Sequence, residues 1–159
     1  ANDEETVKAN WEQLKLKEGK KSVLEGVPKG LPSLVKAYRI QDKVRGVGFD
    51  WEHAGQVWDK VQEELAEFQA EVDVDPDRAA DEFGDVLFAL VNYARFKDIN
   101  PDEALERTNR RFQARFQHME SEIQADVEQG GKTMAEMSLT ELDTYWGRAK
   151  SALSSTPLE

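Results

Sequence analysis

Glu64 and Glu67 stand three residues apart in Glu63-Glu64-Leu65-Ala66-Glu67, and Glu82 and Asp85 repeat that spacing in Glu82-Phe83-Gly84-Asp85. Each pair lies in a segment whose apolar residues recur at helical spacing, so each pair shares one helix face. Two such helices packed together would aim four carboxylates at one place, an oxygen-only donor set suited to Mg²⁺ or Mn²⁺. Taken alone, either run also reads as the solvated face of a helix in an acidic chain. Three features weigh towards a site. Glu64 and Glu67 flank Leu65 and Phe68, Glu82 and Asp85 flank Phe83 and Val86, and one capped turn makes the two helices antiparallel neighbours. Facing carboxylates repel unless a cation neutralises them.

Other metal chemistries fit less well. A di-iron bundle needs Glu-x-x-His pairs, but Asp50 precedes His53 and Arg115 precedes His118 at that spacing. Asp73-Val74-Asp75-Pro76-Asp77 imitates the opening of a calcium loop, yet Arg78 replaces the turn glycine and Gly84 stands where the bidentate acid belongs. Both histidines read as structural. Further along, Arg107, Arg110, Arg111 and Arg115 cluster in an otherwise acidic chain, with Arg111 and Arg115 on one helix face beside Phe112 and Phe116. They fit either surface ion pairs or a clamp for phosphate oxygens. Lys60 and Arg78, each one turn before an acidic run, extend that clamp. Metals and arginines around one pocket make a polyphosphate site.

The elements that must position these residues are helices throughout. Residues 1 to about 20 are polar, with Trp11 and Leu14 as isolated anchors, and Gly26-Val27-Pro28-Lys29-Gly30-Leu31-Pro32-Ser33 is a connector. A first core helix starts at Leu34 with Ser33 as N-cap, carries Leu34, Ala37, Tyr38, Gln41 and Val44, and ends near Gly46-Val47-Gly48. Phe49 and Trp51 follow in an exposed loop. A second helix over about 53–72 places Ala54, Val57, Val61, Leu65, Phe68 and Val72 on one stripe. Asp75-Pro76 caps and starts a third, to about 97, with Phe83, Val86, Leu87, Leu90, Val91 and Ala94 inward. Asn100-Pro101 opens a long fourth helix bearing Leu105, Phe112, Phe116, Met119, Ile123 and Val127, which ends at Gly130-Gly131. Ser138-Leu139-Thr140-Glu141 is a capping box for a last helix with Leu142, Tyr145 and Trp146. The fold class is all-α, a four-helix-bundle-like core with extra short terminal helices. Residues 1–32 form a polar segment and connector, 33–150 the helical domain, and 151–159 a disordered tail.

Composition narrows the function. The 159 residues suffice for one domain with a core, and 39% hydrophobic and 33% charged residues suit a charged helical protein. The net charge of -11, from 32 acids against 21 bases, opposes binding to nucleic acid or an anionic membrane. A small phosphate carried with its own cation is compatible, because the metal inverts the local field. No cysteine is present, which removes thiolate catalysis, disulfides and cysteine-held metals. With no run of about 18 apolar residues and no signal-peptide core, the expected setting is cytoplasmic. The opening Ala1-Asn2-Asp3 lacks a methionine, which suggests processing or a piece of a longer chain.

The ordered set of motifs resembles the MazG family of nucleoside triphosphate pyrophosphohydrolases, within the all-α NTP pyrophosphatase superfamily. Gly26-Val27-Pro28 with Leu31-Pro32-Ser33-Leu34, Val47-Gly48-Phe49-Asp50-Trp51, the two acidic runs, Asn109-Arg110-Arg111-Phe112 and Arg115-Phe116 carry it, from Asn10 to Lys150. The proline connector and the Gly-Phe-Asp-Trp loop are similar to the second domain of long family members, which implies that half or a single-domain relative. The resemblance implies Mg²⁺ ligation by Glu64, Glu67, Glu82 and Asp85, with Glu63 orienting or deprotonating the attacking water. It implies triphosphate contacts from Lys60, Arg78, Arg111 and Arg115, and nucleotide contacts from Asn109 and Trp146. Phe49, Trp51 and Trp146 are the aromatic candidates for stacking on a base. The implied reaction takes a nucleoside triphosphate and water to a monophosphate and pyrophosphate, in a homodimer or higher homo-oligomer. House-cleaning of the nucleotide pool is a candidate role, and base preference lies beyond what the sequence gives. The competing reading is a regulatory or dimerisation module that binds nucleotide without cleaving it.

Overall fold

The computed structural model describes residues 3–17, 19 and 21–154, and among them every regular element is helical. Six α-helices follow in order: α1 (Asp3–Lys17), α2 (Ser33–Arg45), α3 (Ala54–Glu71), α4 (Pro76–Phe96), α5 (Pro101–Glu128) and α6 (Leu139–Leu153), with a 3₁₀ turn at Met134–Glu136 before α6. The all-α expectation holds. No described helix is long and apolar enough to cross a membrane. The chain divides into two compact units, residues 1–102 and 103–159.

In the first unit α3 and α4 form a helical hairpin, and α2 packs on α4. The hairpin follows from its turn. Asp75 is extended at the N-cap (φ −140°, ψ 102°), and its Oδ1 accepts from the backbone N–H groups of Asp77 and Arg78 at 3.2 and 3.3 Å. Pro76 occupies the first helical position, where its missing N–H costs nothing. Val57, Val61, Ala79, Val86, Ala89 and Val91 form the buried core of this unit. The Phe68 and Phe83 rings, 5.4 Å apart, join the two helices beside the acidic runs.

Several local expectations need correction. Ser33 is the first helical residue and makes no capping bond; Pro32 holds the N-cap position with ψ 140°, and its carbonyl accepts from Lys36 N–H at 2.9 Å. The extended ψ that turns the chain into the helix belongs to the proline. The segment expected to be merely polar contains α1, and its anchors Trp11 and Leu14 are 61% and 52% exposed. Ion pairs from Lys8 to Asp42 and from Arg45 to Glu5 tie α1 to α2. Leu65, Val72, Phe83, Leu87 and Leu90, expected inward, are exposed, while Glu64, Ala79 and Ala89 are buried. A helix of this kind is apolar on more than one side, and its neighbours cover only one of them.

In the second unit Met119, Ile123 and Ala149 are buried, whereas Leu105 and Phe112 are exposed. Ser138 Oγ accepts from Glu141 N–H at 3.2 Å and Glu141 Oε2 accepts from Ser138 N–H at 3.2 Å, the reciprocal cap expected from the sequence. Gly130, at φ 88°, supplies the left-handed turn that ends α5. Helix α6 continues through Ser151 to Leu153; the rest of the expected tail, residues 155–159, lies outside the described residues.

Candidate metal centre

The hairpin brings carboxylates from both helices together. One oxygen each from Glu64, Glu82 and Asp85 lies within 4.8 Å of the others. Glu64 is 7% exposed, an unusual position for a carboxylate. Its Oε1 accepts from Lys60 Nζ at 2.8 Å, while its Oε2 and Glu82 Oε2 are both buried without a hydrogen-bond partner among the described residues. Leaving such atoms unpaired costs roughly 1–3 kcal/mol each, and more for charged groups. An oxygen-binding divalent cation would satisfy both, so the residues present fit such an ion.

Glu67 lies on the exposed rim, one turn beyond Glu64. The charge of Glu64, then partial desolvation, then the charge of Glu82 raise its carboxyl above its ordinary 4.5. Neighbouring carboxylates raise one another in this way because like charges disfavour ionisation. Glu63 is linked to Glu64 through the same ammonium: its side chain is 56% exposed and accepts from Lys60 Nζ at 3.1 Å. The two hydrogen bonds, to Glu64 foremost and then Glu63, hold the Lys60 ammonium protonated well above its ordinary range. Lys60 is thus engaged by the acids rather than free for a phosphate. Arg78 is 65% exposed and pairs with Glu71 across the turn at 3.4 Å.

The remaining candidates lie in the second unit. Arg107, Arg110, Arg111 and Arg115, with Leu153 and Ser154, line a cavity of about 340 Å³. Four guanidinium groups around one cavity make a site for a polyanion. Arg115 Nε is buried without a partner among the described residues, whereas Arg111 contacts Thr108 Oγ1 at 3.4 Å. Asn109 is exposed, and Trp146 rests on Phe112 with ring centroids 5.1 Å apart.

Two long-range contacts had no signal in sequence spacing. Gln41 on α2 is 4% exposed and donates through Nε2 to the Phe88 carbonyl of α4 at 2.8 Å. Arg95, near the end of α4, grips Asp50 in a two-pronged pair at 2.6 and 3.1 Å, fixing the loop that carries Phe49 and Trp51. These partners are 47 and 45 residues apart, beyond any local periodicity. His53, by contrast, stands at the N-cap of α3, a structural position as expected.

Comparison with known proteins finds similarity to pyrophosphohydrolases. The family described as phosphoribosyl-ATP pyrophosphohydrolase matches residues 37–112, a span that contains every carboxylate of the cluster. The chain is 39% identical over 143 residues to the nucleoside triphosphate pyrophosphohydrolase/pyrophosphatase MazG of Thermotoga maritima, covering 88% of this chain and 54% of that protein. It is 36% identical over 157 residues to the nucleoside triphosphate pyrophosphohydrolase of Escherichia coli K12, covering 94% of this chain and 58% of that one. A Bacillus subtilis protein, the uncharacterized YabN, is 46% identical over 153 residues, which are 93% of this chain and 30% of that one. The chain spans about half the length of the Thermotoga and Escherichia relatives. The resemblance carried by the motifs therefore extends over nearly the whole chain, which in sequence is MazG-like.

Proposed function

We propose that this chain is a Mg²⁺-dependent nucleoside triphosphate pyrophosphohydrolase, with Mn²⁺ as a substitute, cleaving NTP or dNTP to the monophosphate and pyrophosphate. The observation that carries the reading is the Glu64, Glu82 and Asp85 cluster with its two buried, unpartnered carboxylate oxygens. The relatives' names supply the reaction class. Glu64, Glu82 and Asp85 would hold the cation, with Glu67 completing the set from the rim. The bound cation supplies Lewis-acid polarisation of the α-phosphate and neutralises the charge that builds on the departing pyrophosphate.

The chain's own groups do the rest. Water attacks the α-phosphorus, the bond from phosphorus to the bridging oxygen breaks, and that oxygen leaves with the pyrophosphate. Glu63, released from Lys60 when that ammonium turns to the phosphates, orients the water and takes up its proton. Lys60 and Arg78 contact the triphosphate by exchanging their present carboxylate partners for phosphate oxygens. Arg111 and Arg115 stabilise phosphate charge as it grows, and Asn109 and Trp146 contact the nucleotide. The active form is a homodimer or higher homo-oligomer, a reading supported by the apolar side chains of Phe83, Leu87 and Leu90 that this single chain leaves exposed. The proposed setting is the cytoplasm.

Release of pyrophosphate from NTPs, followed with Mg²⁺ and with a chelator, tests the proposal. Glu64→Ala and Asp85→Ala should each lower kcat by at least about 100-fold, a typical loss for a group stabilising transition-state charge. Helical circular dichroism should be retained. Full turnover in either variant, or in the chelator, would sink the site. Nucleotide binding without pyrophosphate release by the unmodified protein would make it the non-hydrolysing module instead.

A further inference from the structure

A second cavity, of about 410 Å³, opens in the first unit between α2, the loop after it, and α4. Its wall is mostly apolar, and the exposed rings of Phe49 and Trp51 stand on it at 78% and 43% exposure. Two amides interrupt that wall. Gln41 has its Nε2 committed to the Phe88 carbonyl, which orients the amide and leaves Oε1 buried without a partner among the described residues. Asn92 Oδ1 accepts twice from Arg95, at 3.1 and 2.8 Å, so what remains is the Nδ2 donor. One acceptor and one donor in an apolar slot with aromatic rings suit a flat heterocycle whose edge offers the converse pair.

The position relative to the carboxylates selects which heterocycle. Asp85, Phe88, Asn92 and Arg95 are spaced at i, i+3, i+7 and i+10, hence on one face of α4. At 1.5 Å per residue, Asn92 lies roughly 10 Å along the helix from Asp85. That matches the reach from the α-phosphate of a nucleotide to the edge of its base. We propose that this cavity is the nucleobase pocket, in which Phe49 and Trp51 stack on the base while Gln41 Oε1 and Asn92 Nδ2 read its hydrogen-bonding edge. The inference rests on the nucleotide reading above. The Asp50–Arg95 pair then acts as a positioning contact, because it holds the aromatic loop against α4.

The test compares kcat/KM for pyrophosphate release from the four common NTPs with that from ribose 5-triphosphate, which has no base. The unmodified protein should prefer at least one NTP by tenfold or more. Gln41→Met, Asn92→Leu and Phe49→Ala should each bring that ratio to within about threefold of one. Phe49 is so exposed that its variant separates recognition from folding. A ratio unchanged in the folded Phe49→Ala and Asn92→Leu proteins overturns the pocket while leaving the activity standing. If no triphosphate releases pyrophosphate, the activity fails, and the pocket is judged by metal-free nucleoside binding in saturation-transfer NMR. Binding lost in Asn92→Leu supports it; no binding to the unmodified protein overturns it.

Discussion

Two carboxylates show how much a single side chain's surroundings decide. Asp42 is held below its ordinary 3.8: burial alone would raise it, but hydrogen bonds from Lys8 and Arg45 outweigh burial. A depressed carboxyl contributes stability above its unfolded value, and that stability is lost as pH falls through the lower folded value. Asp42→Asn should therefore cost about 1 kcal/mol at pH 7, a modest figure because the pair is partly solvent-screened. Urea unfolding of the two proteins should converge in the acid window below pH 3.8. Glu67 has the opposite sign. Its raised carboxyl makes the fold less stable as pH rises through the folded value. Without divalent metal, Glu67→Gln should melt higher than the unmodified protein at pH 7, with the gap closing near pH 4; a lower Tm for the variant would show that the acids are not in conflict.

At the scale of elements, the α3–α4 turn sets the register of the metal centre. The Asp75 side chain holds the first turn of α4, and Glu82 and Asp85 follow from it by seven and ten residues. Asp75→Ala should cost about 1 kcal/mol, as lost N-caps do. It should also weaken metal binding measurably in calorimetry, since a frayed first turn loosens the helix that carries both acids. Caps of this kind were legible in the sequence because their chemistry is local; Asp75 and Ser138 each bond within three residues. The Ser33 cap was misplaced by one residue because a proline and a serine side by side offer competing start signals. Which apolar residues face inward was less legible. On α3 and α4 the apolar positions exceed one stripe, so periodicity alone did not distinguish Val61 at 0% exposure from Leu65 at 41%.

For the whole molecule, the cluster ties folding to ligand. A cation that binds only the folded chain stabilises it by mass action, about 2.7 kcal/mol at a hundredfold excess over Kd. Mg²⁺ should therefore raise Tm in the unmodified protein and leave Asp85→Ala unmoved in differential scanning calorimetry. A shift of equal size in both would place the ion elsewhere. The net charge of -11 makes a control necessary, because screening by any salt also relieves general repulsion. Sodium chloride at matched ionic strength supplies it.

The sequence by itself determined helices α2 to α6, the Asp75 and Ser138 caps, the pairing of acids at three-residue spacing and the arginine-rich stripe of α5. All of these are set by interactions within a few residues along one helix. Only the tertiary structure decided how the acids converge: Glu64, Glu82 and Asp85 meet, Glu67 approaches Glu64 and Glu82 from the exposed side, and Glu63 shares Lys60 with Glu64. It also disclosed Gln41 under Phe88 and Arg95 on Asp50, contacts more than forty residues apart in the chain. The physical reason is rotational. A helix's sequence establishes the angles between its side chains, but the packing of α3 against α4 sets where that wheel points, and so turns Glu64 inward while Leu65 beside it faces out.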